Sequence, residues 1–360
     1  MKKKFDSFKY IKKIKRKKNN LINRDLFLRL DKNEMTSSLS NFFLNKIRKK
    51  INTHTLTTYP EINKIYKLIA KKNKINEKSI IITAGSDIAI KNCFELFVKK
   101  GSNIITTQPT YGMVDVYSKL FQARQIKISF DKNLELKTNH LISKINRKIS
   151  LIIIANPNSP TGKVIKKNEI IKILNIAKKN NVYVLIDECY FDYSGETCLK
   201  LINKYNNLII SRSFSKSGLA GCRIGYLVSS PKVSALLYKF RPLYEISNFS
   251  VKVLELFLKY KIGEKYFKEL KRGKSLLIKF FEKKEINFFQ SSTNFLLIKL
   301  ESRKNIKIIS KYLKKSNILF TVEKNIPHHK FVIRFTLGPI KEMKFLINRL
   351  SYIYEKKNEL

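Results

Sequence analysis

The chain has 360 residues, 43% hydrophobic and 28% charged, which excludes a disordered polypeptide and leaves room for one large domain and a smaller one. Lys and Arg number 74 against 27 Asp and Glu, a net charge of +47 of the kind that normally points to nucleic acid or an anionic membrane. The lysines are spread along the chain, and abundant Asn, Ile, Phe and Tyr beside 11 Gly, 8 Pro and no Trp match AT-rich codons, so the composition predicts neither a specific nucleic-acid partner nor a membrane partner.

In chain order, residues 1–24 are lysine-rich and partly amphipathic and predict a surface helix or a frayed arm. This start has no apolar stretch and no small-residue cleavage site, so no secretory signal is expected. From about residue 60, helix and strand alternate. IYKLIAKKN reads as a helix, SIIITAG as a buried strand, and DIAIKNCFELFVKKG as a helix closed by Gly101. SNIITTQPTYG follows as a strand ending in a turn, then VDVYSKLFQA as a helix. ISLIIIANPNSPTG is an apolar strand breaking into a loop, and NEIIKILNIAKKNN another helix. VYVLIDECY and NLIISRSFSKS are two more short apolar strands with polar ends. The alternation predicts an α/β fold, a mainly parallel sheet between helices, with its polar clusters at the carboxyl ends of the strands, where open sheets bind ligands. From about residue 250 to 285 the pattern is helical. STNFLLIKL and KFVIRFTLG then read as strands and IKEMKFLINRLSYIY as a helix, a smaller α+β domain. The expected division is an arm and part of the small domain over 1–45, the large ligand-binding domain over 46–250, and the small domain over 251–360.

Cys93, Cys189, Cys198 and Cys222 lie far apart without a CxxC pair and read as buried free thiols of a reducing compartment, the cytoplasm. The four histidines have no metal-ligand spacing, so no metal is expected. The strongest chemical signal is SFSKSGLAGCRIGY, residues 213–226. Ser213, Ser215 and Arg223 supply two hydroxyls and a guanidinium suited to a phosphate, and Lys216 stands among them as an amine beside a cation. In TAGSD a strand ends at Gly85 and a helix begins with Ser86 and Asp87, whose free amides suit a phosphate as well. Tyr111 follows Pro109 at a strand end, and Asp187 ends the apolar strand VYVLI, where an unpaired carboxylate is expensive. Arg334 is read as ending a strand after Val332 and Ile333 and as needing an anion.

SFSKSGLAGCRIGY resembles the lysine loop of the class I/II pyridoxal-phosphate aminotransferases, fold type I. TAGSD, PTYG, ANPNSPTG and DECY stand in that family's order. LDKNE, TTYP at 57–60, STNF at 292–295 and IRFTLG at 333–338 extend the likeness, and the subgroup most resembled is histidinol-phosphate aminotransferase. The resemblance implies pyridoxal 5′-phosphate held covalently by Lys216, which also moves the proton at the substrate Cα. Asp187 is then expected on the ring nitrogen, Tyr111 on the ring face and Tyr190 on the phenolic oxygen. Gly85, Ser86, Asp87, Ser213, Ser215 and Arg223 are expected around the phosphate, and Arg334 and Asn33 on the substrate. Tyr59 matches the tyrosine that reaches the neighbouring subunit's cofactor, which implies a homodimer with shared active sites. The family also leads to a cis X-Pro bond in ANPNSPTG.

Three departures accompany the likeness. The family usually has Asn immediately before Pro-Thr-Gly. Here Ser159 holds that place with Asn158 before it, and the contact to the phenolic oxygen that the resemblance implies falls to one or the other. After SNIL the subgroup often carries Arg, and this chain has Phe320 and Thr321; KFRPLYEISNFS also differs from the usual proline-rich turn. The implied reaction moves an amino group from an amino acid or phosphorylated amine, histidinol phosphate first, to a 2-oxo acid such as 2-oxoglutarate. The alternatives are a decarboxylase of the threonine-phosphate type, an aromatic amino acid aminotransferase and, outside the class, a basic nucleic-acid-binding protein.

Overall fold

The apolar runs of the sequence become the strands of one seven-stranded sheet. A computed structural model of the chain describes residues 9–12, 14 and 22–356. Most of the lysine-rich stretch over residues 1–24 lies outside the described residues; within it are one helical turn, Lys9–Lys12, and the start of a second turn, Arg24–Leu26. The strands are β1 (Leu28–Arg29), β2 (Ile80–Thr83), β3 (Asn103–Gln108), β4 (Arg124–Ser129), β5 (Ile149–Ala155), β6 (Tyr183–Asp187), β7 (Leu208–Ser213), β8 (Gly225–Ser229), β9 (Phe288–Phe289), β10 (Phe295–Lys299), β11 (Ile318–Leu319), β12 (Thr321–Glu323) and β13 (Val332–Thr336).

The large sheet has the order β2-β8-β7-β6-β5-β3-β4. All its neighbours are parallel except β8, which runs antiparallel to β7 and β2. From β3 the chain moves outward to β4 and then returns to place β5 on the other side of β3. The order therefore reverses between β3 and β5, where a crevice opens at the carboxyl ends. Successive residues of each strand face opposite ways. Ile82, Ile105, Ile152, Ile154, Val184, Ile186, Ile210 and Val228 pack one face against helices 63–73, 167–179 and 248–259. Ile81, Ile104, Leu151, Ile153, Leu185, Ile209 and Leu227 pack the other against helices 86–97, 112–120 and 231–238. A sheet covered on both faces explains the unbroken Ile/Val/Leu runs.

The helix expected to close at Gly101 ends at Phe97, because Val98 is already extended (φ −118°, ψ 114°); Gly101, at φ +83°, serves the turn before β3.

The second sheet is antiparallel, in the order β12-β13-β10-β9. It shares a core of Leu296, Ile298, Ile333 and Phe335 with Leu270, Leu277 and Phe281 of helix Ile262–Lys283, Leu313 of helix Arg303–Lys315, and Leu346 and Leu350 of helix Ile340–Lys356. The N-terminal segment joins this unit: β1 pairs in parallel with β11, and Leu30 is buried in the same core. All four cysteines are free; Cys93 and Cys198 are buried, whereas Cys189 and Cys222 are only half-buried. No described helix is long and apolar enough to cross a membrane.

Candidate active site

The carboxyl ends of β5, β6 and β7 and the start of helix Ser86–Phe97 surround one pocket, which holds most of the residues singled out from the sequence. At the end of β7, the Ser215 amide donates to Ser213 Oγ at 3.1 Å and Ser213 Oγ donates to Ser215 Oγ at 2.9 Å. Arg223 Nη1 donates to Ser215 Oγ at 3.3 Å. Two glycines let this corner close. A Cβ on Gly85 would lie 2.9 Å from Arg223 Nη2, and one on Gly225 would lie 2.6 and 2.7 Å from backbone atoms of Gly85 and Ser86. Gly85 also sits at φ +83°, a conformation an L side chain rarely adopts. Hydroxyls, a guanidinium and the free amides of a helix start thus converge in one cup built for an anion. Asp87 faces the pocket from the first turn of that helix, where its Oδ1 accepts from Tyr117 Oη at 3.1 Å.

Asp187 closes β6. It is 4% exposed, and its Oδ1 has no hydrogen-bond partner. Its other oxygen accepts from Cys189 Sγ at 3.6 Å. Burial raises the carboxyl to about 6, against the pull of the Ser211 hydroxyl, the Cys189 thiol and amide and, least, the charge of Lys216. Burial also pushes the Cys189 thiol well up, so it stays protonated and able to donate. Lys216 Nζ donates to the Lys32 carbonyl at 3.2 Å and stands 5.7 Å from the Tyr190 ring centre. The lysine's backbone is fixed from the segment after β6: Tyr193 Oη donates to the Lys216 carbonyl, and Ser217 Oγ donates to Asp192 Oδ2 at 2.9 Å.

Tyr190 is buried, and its Oη accepts from Asn33 Nδ2 at 2.9 Å. Asn33 is held at φ +55° by Thr336, whose Oγ1 accepts from its amide at 3.0 Å, and by Asn294 Nδ2, which donates to its carbonyl at 3.0 Å. Tyr111 lines the pocket mouth, 38% exposed.

The loop after β5 contains cis bonds at Asn156-Pro157 and Ser159-Pro160. Of the two residues left open there, Ser159 lines the pocket. Asn158 braces the loop through its Nδ2, which donates to Thr161 Oγ1 at 2.9 Å and to the Pro109 carbonyl at 3.2 Å, while its buried Oδ1 has no partner.

One further expectation changes on placement. Arg334 does not end a strand; it lies in the middle of β13, because Phe335 and Thr336 continue the pairing with β10. Its Nη1 is 3.1 Å from Glu323 Oε1, and its Nη2 donates to the Asp31 carbonyl at 2.9 Å. Arg334 and Lys216 are therefore tied to the consecutive carbonyls of Asp31 and Lys32. Tyr59 stands outside the pocket of its own chain, 71% exposed and stacked on Tyr244 at 3.9 Å.

Sequence reading missed Cys189 and Ala155, which line the pocket, and the pair beneath it: Arg212 Nη2 lies 2.8 Å from Glu188 Oε2, both nearly fully buried. Their signal was available as single charges inside or next to apolar strand runs. Ala155 carries no such signal.

These residues fit pyridoxal 5′-phosphate. The unpartnered Asp187 Oδ1 suits a protonated ring nitrogen, the Ser213–Ser215–Arg223 cup suits the phosphate, and the Lys216 amine lies between the residues that would hold the ring.

Comparison with known proteins points the same way. A family model described as aminotransferase class I and II matches residues 27–350. The histidinol-phosphate aminotransferase of Clostridium kluyveri is 31% identical over 335 residues, covering 91% of this chain and 93% of the relative. That of Clostridium novyi is 32% identical over 285 residues, 78% of this chain and 79% of the relative. Among solved structures, histidinol-phosphate aminotransferase from Sinorhizobium meliloti in complex with pyridoxal-5′-phosphate superposes with a TM-score of 0.85 at 19% identity, covering 97% of each chain, a likeness of fold.

Proposed function

The chain belongs to the class I and II aminotransferase family, and from that premise we propose that it moves the amino group of histidinol phosphate to a 2-oxo acid such as 2-oxoglutarate. It is a pyridoxal-phosphate enzyme of fold type I. The observation that carries the reading is the meeting, in one pocket, of the Lys216 amine, the unpartnered Asp187 carboxylate and the Arg223 cup. When bound, pyridoxal phosphate supplies the electron sink that takes up the pair released at the donor Cα.

The chain's own residues do the rest. Arg223, Ser213, Ser215 and the Ser86 amide would hold the phosphate, and Asp187 would keep the ring nitrogen protonated. Tyr111 would cover the ring face, with Tyr190 and Ser159 beside the phenolic oxygen. Lys216 Nζ would hold the cofactor covalently and, once displaced by the donor's amine, take the proton from the donor Cα. Arg334 would receive the donor's anionic group, and Asn33, bonded to Tyr190, would set the edge of the substrate space.

Relatives at 31% and 32% identity over most of the chain support histidinol phosphate as the donor. We place the enzyme in the cytoplasm as a homodimer with shared active sites, the exposed Tyr59–Tyr244 stack being the face that would reach a second copy. The proposed division keeps residues 46–250 as the cofactor domain, together with the rest of helix 248–259 that packs on its sheet, and the remainder up to 360, with the N-terminal segment, as the small domain.

The test is a half-reaction screen of the yellow holoenzyme with histidinol phosphate, phenylalanine, tyrosine and phosphothreonine. Histidinol phosphate should discharge the cofactor absorbance, with the corresponding oxo product and no carbon dioxide. Borohydride should fix the cofactor on Lys216, and Lys216→Ala should be inert in the half-reaction. Conversion by an aromatic amino acid alone, or release of carbon dioxide, would overturn the donor assignment.

A further inference from the structure

Thr321 and Arg334 are direct partners across β12 and β13, and Glu323 lies two residues further along β12 on the same face. Its carboxylate therefore reaches Arg334 diagonally. The contact is 3.1 Å from Nη1 to Oε1, and the two side chains are 13% and 16% exposed, so water screens the pair only in part. Nη2 is engaged by the Asp31 carbonyl at 2.9 Å and by Thr321 Oγ1 at 3.4 Å. Nε is buried and has no partner. An incoming anion thus meets a guanidinium whose Nε donor is open and a carboxylate already in place. β12, Thr321–Glu323, carries no basic residue, and Phe320 before it is neutral, so this strand offers no second cation to offset Glu323.

We propose that Glu323 is a specificity-determining residue: by compensating the charge of Arg334 it weakens the site's hold on a phosphate dianion more than on a carboxylate. The proposal rests on the reading that Arg334 receives the donor's anionic group. Two unit charges on a ligand feel the like charge of Glu323 twice as strongly as one does. The consequence fits a reaction in two halves. One arginine must bind a phosphorylated donor, release the phosphorylated product and then accept a 2-oxo dicarboxylate; an uncompensated arginine would favour the dianion and retain the product. Glu323 brings the two affinities together.

The test uses the holoenzyme and three variants: Glu323→Gln, Arg334→Ala and the double variant. Gln keeps an acceptor for Nη1 and removes only the charge. KM for histidinol phosphate and the inhibition constant of inorganic phosphate should both fall about tenfold in Glu323→Gln, the effect expected of one like charge beside a partly exposed guanidinium. KM for 2-oxoglutarate should change by about threefold at most, since only one of its two singly charged carboxylates meets Arg334 at a time. The gain for phosphate should vanish when Arg334→Ala is added. Glu323→Gln leaving both phosphate constants unchanged or raising them, or a gain that survives loss of Arg334, would overturn the proposal. The inorganic phosphate measurement works with whichever amino acid the enzyme accepts. Failure of wild-type enzyme to convert histidinol phosphate therefore falls on the donor reading and leaves the Glu323 result legible.

Discussion

At the residue scale, Asp187 has the clearest physical consequence. Burial raises its carboxyl from 3.8 to about 6, and one of its oxygens has no partner. Below about pH 3 it is mainly protonated in both the folded and the unfolded chain and is nearly neutral to stability. As pH rises towards 6 the unfolded chain ionises first, so the cofactor-free protein loses stability, by roughly 3 kcal/mol at most once both forms are charged. Cofactor-free Asp187→Asn should therefore melt a few degrees above wild type at pH 7.5, with most of that gap gone at pH 4, while its cofactor affinity falls. Equal melting temperatures at pH 7.5 would show that burial does not strain this carboxylate. Residues of this kind were legible because their chemistry is rare where they stand: an acid ending an apolar strand, an amine among hydroxyls. The choice between Asn158 and Ser159 was not, since adjacent loop positions differ only in which way the backbone turns them; Ser159 lines the pocket, while Asn158 engages Thr161 and Pro109 through Nδ2 and keeps a buried, unpartnered Oδ1. Glu323 escaped notice because its partner lies diagonally across a strand pairing that no local pattern encodes.

Elements follow the same division. β2, β3, β5, β6 and β7 were visible as apolar runs because both faces of their sheet are covered. β4 was missed, being an edge strand with mostly half-exposed or exposed residues, and β8 was hidden inside the lysine-loop motif. The strands of two or three residues, β1, β9, β11 and β12, are too short to show a period. β8 matters to function because its first residue, Gly225, allows the strand to touch the start of helix Ser86–Phe97. A Cβ there would lie 2.6 to 2.7 Å from backbone atoms of Gly85, Arg212 and Ser86, so the helix start or the Arg223 loop must move. Gly225→Ala should weaken pyridoxal-phosphate binding by about tenfold or more, a displacement of the phosphate donors being worth over 1.4 kcal/mol. Gly221→Ala, where nothing lies within 4 Å of the added carbon, should bind like wild type. Titration of both variants with cofactor, followed by absorbance, separates the two; equal affinities would mean that the close approach does not position the cup.

For the whole molecule, Tyr59 is 71% exposed, and only the proposed homodimer would give it a place in an active site. Tyr59 stacks on Tyr244, and Leu56 and Leu243, near them in sequence, are 75% and 72% exposed. Large apolar side chains grouped on a surface mark a contact face, and in a two-fold dimer a residue outside its own pocket can enter the other copy's. If Tyr59 serves the second subunit, Lys216→Ala and Tyr59→Ala lie in different subunits of any one complete site. Each homodimer should then be impaired at limiting cofactor, the first for want of the amine, the second for want of a phosphate contact. Unfolded together and refolded, half of the dimers are mixed, and each mixed dimer has one site with both Lys216 and Tyr59 intact. Activity should recover to about a quarter of the wild-type value per chain, as random pairing across a two-fold interface requires. If Tyr59 instead acts in its own subunit, the mixed dimer holds one site lacking the amine and one lacking the tyrosine, and mixing restores nothing beyond the average of the parents.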